Sequence, residues 1–337
     1  MTAPFKVGVT RDLITASGEP CFSPAAFDEL SANPAIEWEW LEECDEISAD
    51  VMARYDALHV NLPLVTAASV ARPDRRVRIV ARNGVGFDTV DVDALAAKGV
   101  LTTNTPFAIR RPVAVAALSL VFALTTRLMT KDRLVRDGRW RDRVEHMGVG
   151  LAGRTIGVIG AGGIGSELIP LAKPFFGRVL AADPGVAEAQ IAGLGARKTA
   201  LDTLLAEADV VVCCCLLNDD NRHLIGAAAF SAMKSTAFFV NVSRGPVHDE
   251  AALAKALAAG EIAGAGLDVT EIEPIPAESP LLARDDVIIT AHALCWTDEC
   301  FEEIARTALR SIVDVSFGRR PAHVVESQGA VANRQER

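Results

Sequence analysis

Aromatic side chains are scarce in this chain of 337 residues: they make up 5 %, with a single tyrosine, Tyr55. Any large core must therefore be aliphatic, and the 50 % of residues that are hydrophobic supply the material for one. That content excludes intrinsic disorder. Basic charge is in deficit as well, with 34 Lys and Arg against 44 Asp and Glu, a net −10. A phosphate-backbone binder needs a basic surface, so no nucleic-acid partner is expected. The seven cysteines form no disulfide framework: the count is odd, and Cys213, Cys214 and Cys215 are adjacent. Neighbours on a strand point to opposite faces and cannot readily pair. No Cys-x-x-Cys meets a second ligand pair, so no metal is expected. Reduced thiols in a cytoplasmic protein are the simplest reading. The longest apolar run, Val113 to Leu124, lies between Pro112 and Arg127 and has 12 residues, short of the roughly 20 that a membrane span requires. The strand-like start, Met1 to Thr10, lacks the charged region and apolar core of a leader, and no membrane association is expected.

There is no internal repeat, low-complexity tract or Ser/Gly linker, and the length predicts about two domains. Short apolar strands are expected at Lys6–Thr10, Ala57–Val60, Val77–Ala81 and Val100–Thr103, with a helix at Asp91–Lys98 ended by Gly99. Alternating strands and helices imply a parallel, doubly wound α/β sheet. The pattern then restarts. Pro112 opens a long apolar helix, and a mixed-charge stretch, Arg127–Arg143, reads as a solvated helix face and loop. Six further strands follow, at Thr155–Ile159, Arg178–Ala182, Val210–Cys215, Ala237–Asn241, Gly264–Val269 and Val287–Thr290. A last helix spans Asp298–Phe317, before a polar tail expected to fray.

The strand Thr155–Ile159 runs into Gly160-Ala-Gly162-Gly163-Ile164-Gly165 and then a helix. This is the Gly-x-Gly-x-x-Gly fingerprint in its proper setting. Gly160 allows the tight turn, Gly162 lets the backbone approach a pyrophosphate, and Gly165 permits close helix–strand packing, with the phosphates on the helix N-terminal amides. Asp183 ends the next strand, 18 residues after Gly165, the spacing of a carboxylate that binds the adenosine ribose of NAD; the plain alternative is a turn before Pro184. Gly163, Ile164 and Cys215, at the end of a later strand, are assigned to the same cofactor-binding set. Pro170 and Pro174 should kink the helix after the loop.

Three charged residues follow strand ends: Arg244 after Ala237–Asn241, Glu273 in the segment Gly266–Pro274, and His292 after Val287–Thr290. Open α/β sheets bind ligands at the carboxyl ends of their strands. An Arg there can neutralise a substrate carboxylate and polarise its carbonyl. A His can pass the hydroxyl proton, and a Glu can orient that His and favour its charged form. Singly, each reads as a surface ion pair or a core histidine; together at matched strand ends they read as catalytic machinery.

With these residues the sequence resembles the D-isomer-specific 2-hydroxyacid dehydrogenase family over nearly its whole length, most strongly from Val77 to His292. The segments that carry the likeness are Ala81-Arg-Asn-Gly84-Val-Gly86-Phe-Asp88, the loop from Gly160, Asn241–Gly245, Gly266–Pro274 and His292. The resemblance implies hydride transfer between NAD and C2 of a small D-2-hydroxy or 2-keto acid. It implies a substrate-binding role for Arg244, a Glu273–His292 acid/base pair, and a contact of Asp268 with the nicotinamide carboxamide, near His292. It implies that Asn83, Gly84, Val85 and Gly86 hold the substrate carboxylate through backbone amides. The implied architecture is a discontinuous flavodoxin-like substrate domain, 1–103 plus 297–337, and a Rossmann cofactor domain, 104–296. It also implies a homodimer through the cofactor domain, with the helix from Pro112 as an apolar face that one domain need not bury and Gly138-Arg-Trp140 nearby.

Departures from the family pattern concern the substrate pocket. Arg110-Arg111-Pro112 and Val115 stand where many members carry Thr-Asp and Glu, and Ala293-Leu-Cys295-Trp296 replaces small glycine-rich residues after His292. Adjacent arginines call for an anion: an acid of the protein on the plain reading, a second anionic group of the substrate on the sharper one. His59 and Asn61, at the end of a substrate-domain strand, are read either as facing the substrate or as structural. A non-catalytic NAD-sensing protein and a phosphite-type dehydrogenase are the alternative functions, and Glu273 argues against a formate enzyme.

Overall fold

Short runs of β-branched and small apolar residues become strands buried on both faces, as parallel sheets covered by helices require. The computed structural model describes residues 3–327. They divide into two units, one running to Ile109 and resuming at Trp296, the other spanning Arg110–Cys295.

The first unit holds β1 (Phe5–Val9), β2 (Ile36–Trp40), β3 (Ala57–Val60), β4 (Ile79–Arg82) and β5 (Leu101–Thr103). All pair in parallel, in the order β2-β1-β3-β4-β5, the flavodoxin-like arrangement with its switch point between β1 and β3. Strand β2 escapes a search for continuous apolar runs because Ile36-Glu-Trp-Glu-Trp40 alternates, with Glu37 and Glu39 exposed on an edge strand. Phe27 stacks on Trp38 at 4.3 Å between centroids and meets Trp40 edge-on, which puts two of the four tryptophans on this edge. The polar tail is docked rather than frayed as far as it is described: Val325 N donates to Thr102 O at 2.8 Å, and Val324 bridges Thr103 in antiparallel fashion. Backbone hydrogen bonds to an open sheet edge outweigh the tail's polar composition.

The second unit holds β6 (Thr155–Ile159), β7 (Arg178–Ala182), β8 (Arg197–Lys198), β9 (Val210–Cys213), β10 (Phe238–Asn241), β11 (Gly264–Leu267) and β12 (Val287–Ile289). Their order is β12-β11-β10-β9-β6-β7-β8, again all parallel. This is a Rossmann sheet extended by one strand, with the switch point between β6 and β9. The seventh strand, β8, is a two-residue charged edge that carries no hydrophobic signal.

Three expectations are corrected by packing. The helix Arg110–Thr126 is not a spare apolar face: Val113, Ala114, Ala117, Leu118, Leu120, Val121 and Leu124 are all buried, against the helix Gly163–Ala172 and strands β10 and β11 of its own unit. Among its large apolar side chains, Val115 stays exposed, at 49 %. Pro174 lies beyond the helix Gly163–Ala172 and ends it rather than kinking it, whereas Pro170 is carried inside its last turns. The chain also passes between units later than residue 103. Asn104 Nδ2 donates to Val85 O at 2.8 Å and Thr105 N to Gly84 O at 2.9 Å, tying this turn to the β4 loop. Trp296 belongs to the same unit, its ring 4.7 Å from that of Phe301. The charged stretch forms the helix Leu128–Arg136 and a 3-10 turn, laced by Arg136–Asp132 and Arg139–Asp142 ion pairs. Among the described residues no single helix is long and apolar enough to cross a membrane.

At the first unit's switch point, His59 and Asn83 are buried side by side. Asp12 Oδ2 accepts from Asn61 Nδ2 at 2.8 Å, Asn83 Nδ2 donates to Asn61 Oδ1 at 3.2 Å, and His59 Nε2 meets Asn83 Oδ1 at 3.1 Å. Burial pushes the His59 imidazole down to about 4. The unfolded chain then binds a proton that the folded chain refuses, so this site's stabilisation is full above the ordinary histidine range and is lost as pH falls from about 6.5 towards 4. His59→Gln should therefore destabilise the protein more at about pH 7 than at about pH 5. Thermal unfolding of both proteins at the two pH values checks this; a gap that widens in acid would contradict it.

Candidate active site

Parallel register sets the site. Ile159 pairs with Cys213, Cys213 with Asn241, Asn241 with Leu267 and Leu267 with Ile289, so the strand ends form one row. The glycine loop, Arg244, Asp268, Glu273 and His292 all follow members of that row.

The glycine loop fits a dinucleotide pyrophosphate. Gly160 adopts φ +90°, a left-handed conformation that glycine alone takes without strain, and its missing Cβ leaves room for the Cys215 backbone, 2.7 Å from where that atom would be. A Cβ on Gly165 would run into the Gly160 carbonyl, whereas at Gly162 it would point into open space. Gly162 caps the helix Gly163–Ala172, whose first-turn amides, those of Gly163, Ile164 and Gly165, have no carbonyl behind them. Asp183 makes the turn anticipated for it, accepting from Gly185 N at 2.8 Å and Val186 N at 3.2 Å. Its other oxygen accepts from Ala161 N at 2.7 Å, so the carboxylate also braces the glycine loop. Burial raises the Cys215 thiol to about 11, which leaves it a neutral wall at neutral pH.

The histidine–carboxylate pair is formed. His292 Nδ1 and Glu273 Oε2 lie 2.9 Å apart, and Thr270 N donates to Glu273 Oε1 at 3.2 Å. Burial alone would push the Glu273 carboxyl up, but the His292 hydrogen bond, its charge and that of Arg244 hold it below the usual carboxylate range. With Nδ1 committed to the carboxylate, the exposed ring offers Nε2 outward. His292 sits at φ +53°, an uncommon conformation for a side chain of its size. The buried Asp268 secures this bend: its Oδ1 accepts from Thr290 Oγ1 at 2.5 Å, Ala293 N at 3.2 Å and Leu294 N at 3.1 Å.

Several residues that position this site have no role assigned from the sequence. The buried Asn241 shapes the Arg244 turn: Nδ2 donates to Arg244 O at 2.9 Å and to His248 Nδ1 at 3.0 Å, while Oδ1 accepts from Ser243 N and Oγ. Burial lowers the His248 imidazole to about 4, keeping it neutral. Gly245 packs its backbone directly on Thr270 and Glu271, where a Cβ would overlap the Thr270 carbonyl; this apposition brings the arginine loop to the Glu273 loop. A second pair, His223–Glu271, braces the far side: Glu271 also accepts from Glu250 N at 3.0 Å, and Glu250 accepts from Glu271 N at 3.1 Å. The Glu-x-Glu spacing of Glu271 and Glu273 was the available signal; one acid serves the loop and the other the histidine.

Asn83, Gly84, Val85 and Gly86 belong to the first unit, with Gly84 at φ +118° and Arg82 Nη1 donating to Asn83 O. His59 is wholly buried, so it does not face a ligand; its ring supports Asn83 from behind. Arg111 pairs with Glu167 at 3.0 Å, the plain reading for that cation, and Arg110 lies against Gly163.

Gly245→Ala should separate the two loops, lowering turnover by about 10-fold or more and costing about 1–3 kcal/mol of stability. Steady-state kinetics and thermal unfolding check this; unaltered kinetics would show that the apposition does not matter.

Comparison with known proteins agrees with this geometry. The family described as "D-isomer specific 2-hydroxyacid dehydrogenase, NAD binding domain" matches residues 118–293. The chain is 35% identical to a glyoxylate reductase of Korarchaeum cryptofilum over 295 residues, 86% of this chain and 89% of that one. It is 34% identical to a D-3-phosphoglycerate dehydrogenase of Archaeoglobus fulgidus over 265 residues, 79% of this chain but half of that protein's length. Among solved structures, a glyoxylate reductase from Paecilomyes thermophila matches with a TM-score of 0.82 at 25% identity, over 97% of this chain and 100% of that one. The apo D-lactate dehydrogenase of Escherichia coli matches with 0.78 at 26%, over 95% of this chain and 100% of that one. A nucleotide loop, a braced arginine turn and a histidine–glutamate pair on one Rossmann edge thus coincide with sequence likeness over 86% of the chain, and the chain belongs to the NAD-dependent D-isomer specific 2-hydroxyacid dehydrogenase family.

Proposed function

We propose that the protein reduces a small 2-keto acid of the glyoxylate class to the D-2-hydroxy acid, or runs the reverse reaction, with Arg244, Glu273 and His292 as the catalytic residues. The observation that carries this is the His292–Glu273 hydrogen bond, formed on the same strand-end row as the Arg244 turn. NADH, when bound, supplies the hydride for the keto carbon. Arg244 neutralises the substrate carboxylate and draws electron density from the carbonyl oxygen. His292 donates its Nε2 proton to that oxygen as the alcohol forms, while Glu273, acceptor at Nδ1, stabilises the imidazolium beforehand. Asn83–Gly86 hold the carboxylate through backbone amides. Asp183 takes the adenosine ribose and repels a 2′-phosphate, and Asp268 is the acceptor for the nicotinamide carboxamide. The glyoxylate class is preferred over phosphorylated acids because Arg111, one of the two cations suited to a second anionic group, is paired with Glu167. The active form is proposed to be a cytoplasmic homodimer through the cofactor-binding unit.

A panel of 2-keto acids with NADH, followed by loss of its absorbance, tests the assignment; no turnover with any of them, despite tight NADH binding, would favour an NAD-sensing role. His292→Ala should lower kcat by about 10²–10⁴, the usual range for a general acid, and near-normal turnover would remove it from the mechanism. Glu273→Gln should retain turnover but lower kcat by about tenfold, because a neutral amide no longer holds the His292 ring through a charge-assisted hydrogen bond at Nδ1; an unaltered kcat would remove Glu273 from the mechanism.

NADH should be preferred to NADPH in kcat/KM by at least about tenfold. Asp183→Ala should erode this preference and also weaken NADH binding, since the same carboxylate holds Ala161 N. Equal use of both cofactors by the wild type would refute the role of Asp183.

A further inference from the structure

The nucleotide-binding spacing needs glycine at 160, 162 and 165; Gly163 is one glycine more than the motif requires. Its backbone is covered by Arg110. A Cβ at Gly163 would stand 2.7 Å from Arg110 Nε, closer than real Cβ contacts allow, and 3.2 Å from Cζ and 3.3 Å from Cδ, so the arginine side chain would have to shift. The guanidinium group therefore occupies the space that a side chain at residue 163 would fill. The fold brings its backbone there: Arg110 begins the helix Arg110–Thr126, which packs along the helix Gly163–Ala172.

The adjacent arginines are thereby assigned to different tasks. Arg111 reaches Glu167 at 3.0 Å, one turn along the second helix. Arg110 reaches the first residue of that helix, beside Gly162, where a Cβ would meet open space. That end of the helix already presents amides and a positive dipole to an anion, and a planar guanidinium matches phosphate oxygens as a bidentate donor.

We propose that Arg110 binds the cofactor's pyrophosphate, not a second anionic group of the substrate, and that residue 163 is glycine to admit it. This rests on the reading of Gly160–Gly165 as the dinucleotide loop. A glycine in place of a side chain on the loop, and an arginine borrowed from the preceding helix, together give the site one cation over the phosphates.

The test is equilibrium binding of NADH, ADP-ribose and adenosine, by titration calorimetry, to the wild type, Arg110→Met, Arg110→Lys and Gly163→Ala. Arg110→Met should weaken NADH and ADP-ribose by about 10-fold or more, the effect of one lost charge-assisted contact, and leave adenosine unchanged. Arg110→Lys should recover part of the loss. Gly163→Ala keeps the arginine but displaces it, and should weaken the same two ligands and spare adenosine. If Arg110→Met binds NADH and ADP-ribose as the wild type does, the inference fails while the loop reading stands. Equal loss of adenosine would also overturn it, because the arginine would then act through the fold. A wild type that binds ADP-ribose no better than adenosine would overturn the loop reading, and the inference with it.

Discussion

The active-site edge depends on the register of one parallel sheet. Because Ile159, Cys213, Asn241, Leu267 and Ile289 lie in one row, every loop that leaves the carboxyl edge starts from the same level. Chemistry-bearing residues far apart in sequence then differ in position only by the shape of their loops. A slip of one residue in any of these strands would turn its side chains to the other face and displace its loop. The burial of β9, β10 and β11 on both faces penalises such a slip, since it would disrupt the packing of Val211, Phe239 and Leu267 in the core.

Above that row, the loops are braced by buried polar side chains rather than by regular structure. Asn241 holds the arginine turn, Asp268 holds the bend that carries His292, and Gly245 lets the two loops touch. Each supporting group is nearly or fully buried, where a hydrogen bond lost leaves an unsatisfied polar atom and not a solvated one. The left-handed backbone at His292 persists because Asp268 binds both flanks of the bend. Rigidity at these positions lowers the reorganisation needed when a substrate carbonyl gains charge.

Charge is handled with similar economy. Two carboxylates two residues apart, Glu271 and Glu273, serve different histidines, His223 and His292. Two adjacent arginines likewise part: Arg111 reaches Glu167, while the Arg110 side chain lies against Gly163. In both cases the sequence places like charges side by side, and the fold turns them to different surroundings.

The sequence by itself determined the two parallel α/β units, the glycine loop between strand and helix, and the placement of Arg244, Glu273 and His292 after strand ends of one sheet. These follow from local signals: strand-length apolar runs, glycine spacing, and charged residues just past strand ends. Strand β2 and strand β8 were illegible because edge strands, wet on one side, carry no continuous apolar run. Only tertiary structure decided that the Arg110–Thr126 helix is core, that His59 is a buried support for Asn83, and that Arg110 lies on Gly163. Composition records how apolar or charged a segment is, but which surface it meets depends on elements brought together from 49 and 56 residues away.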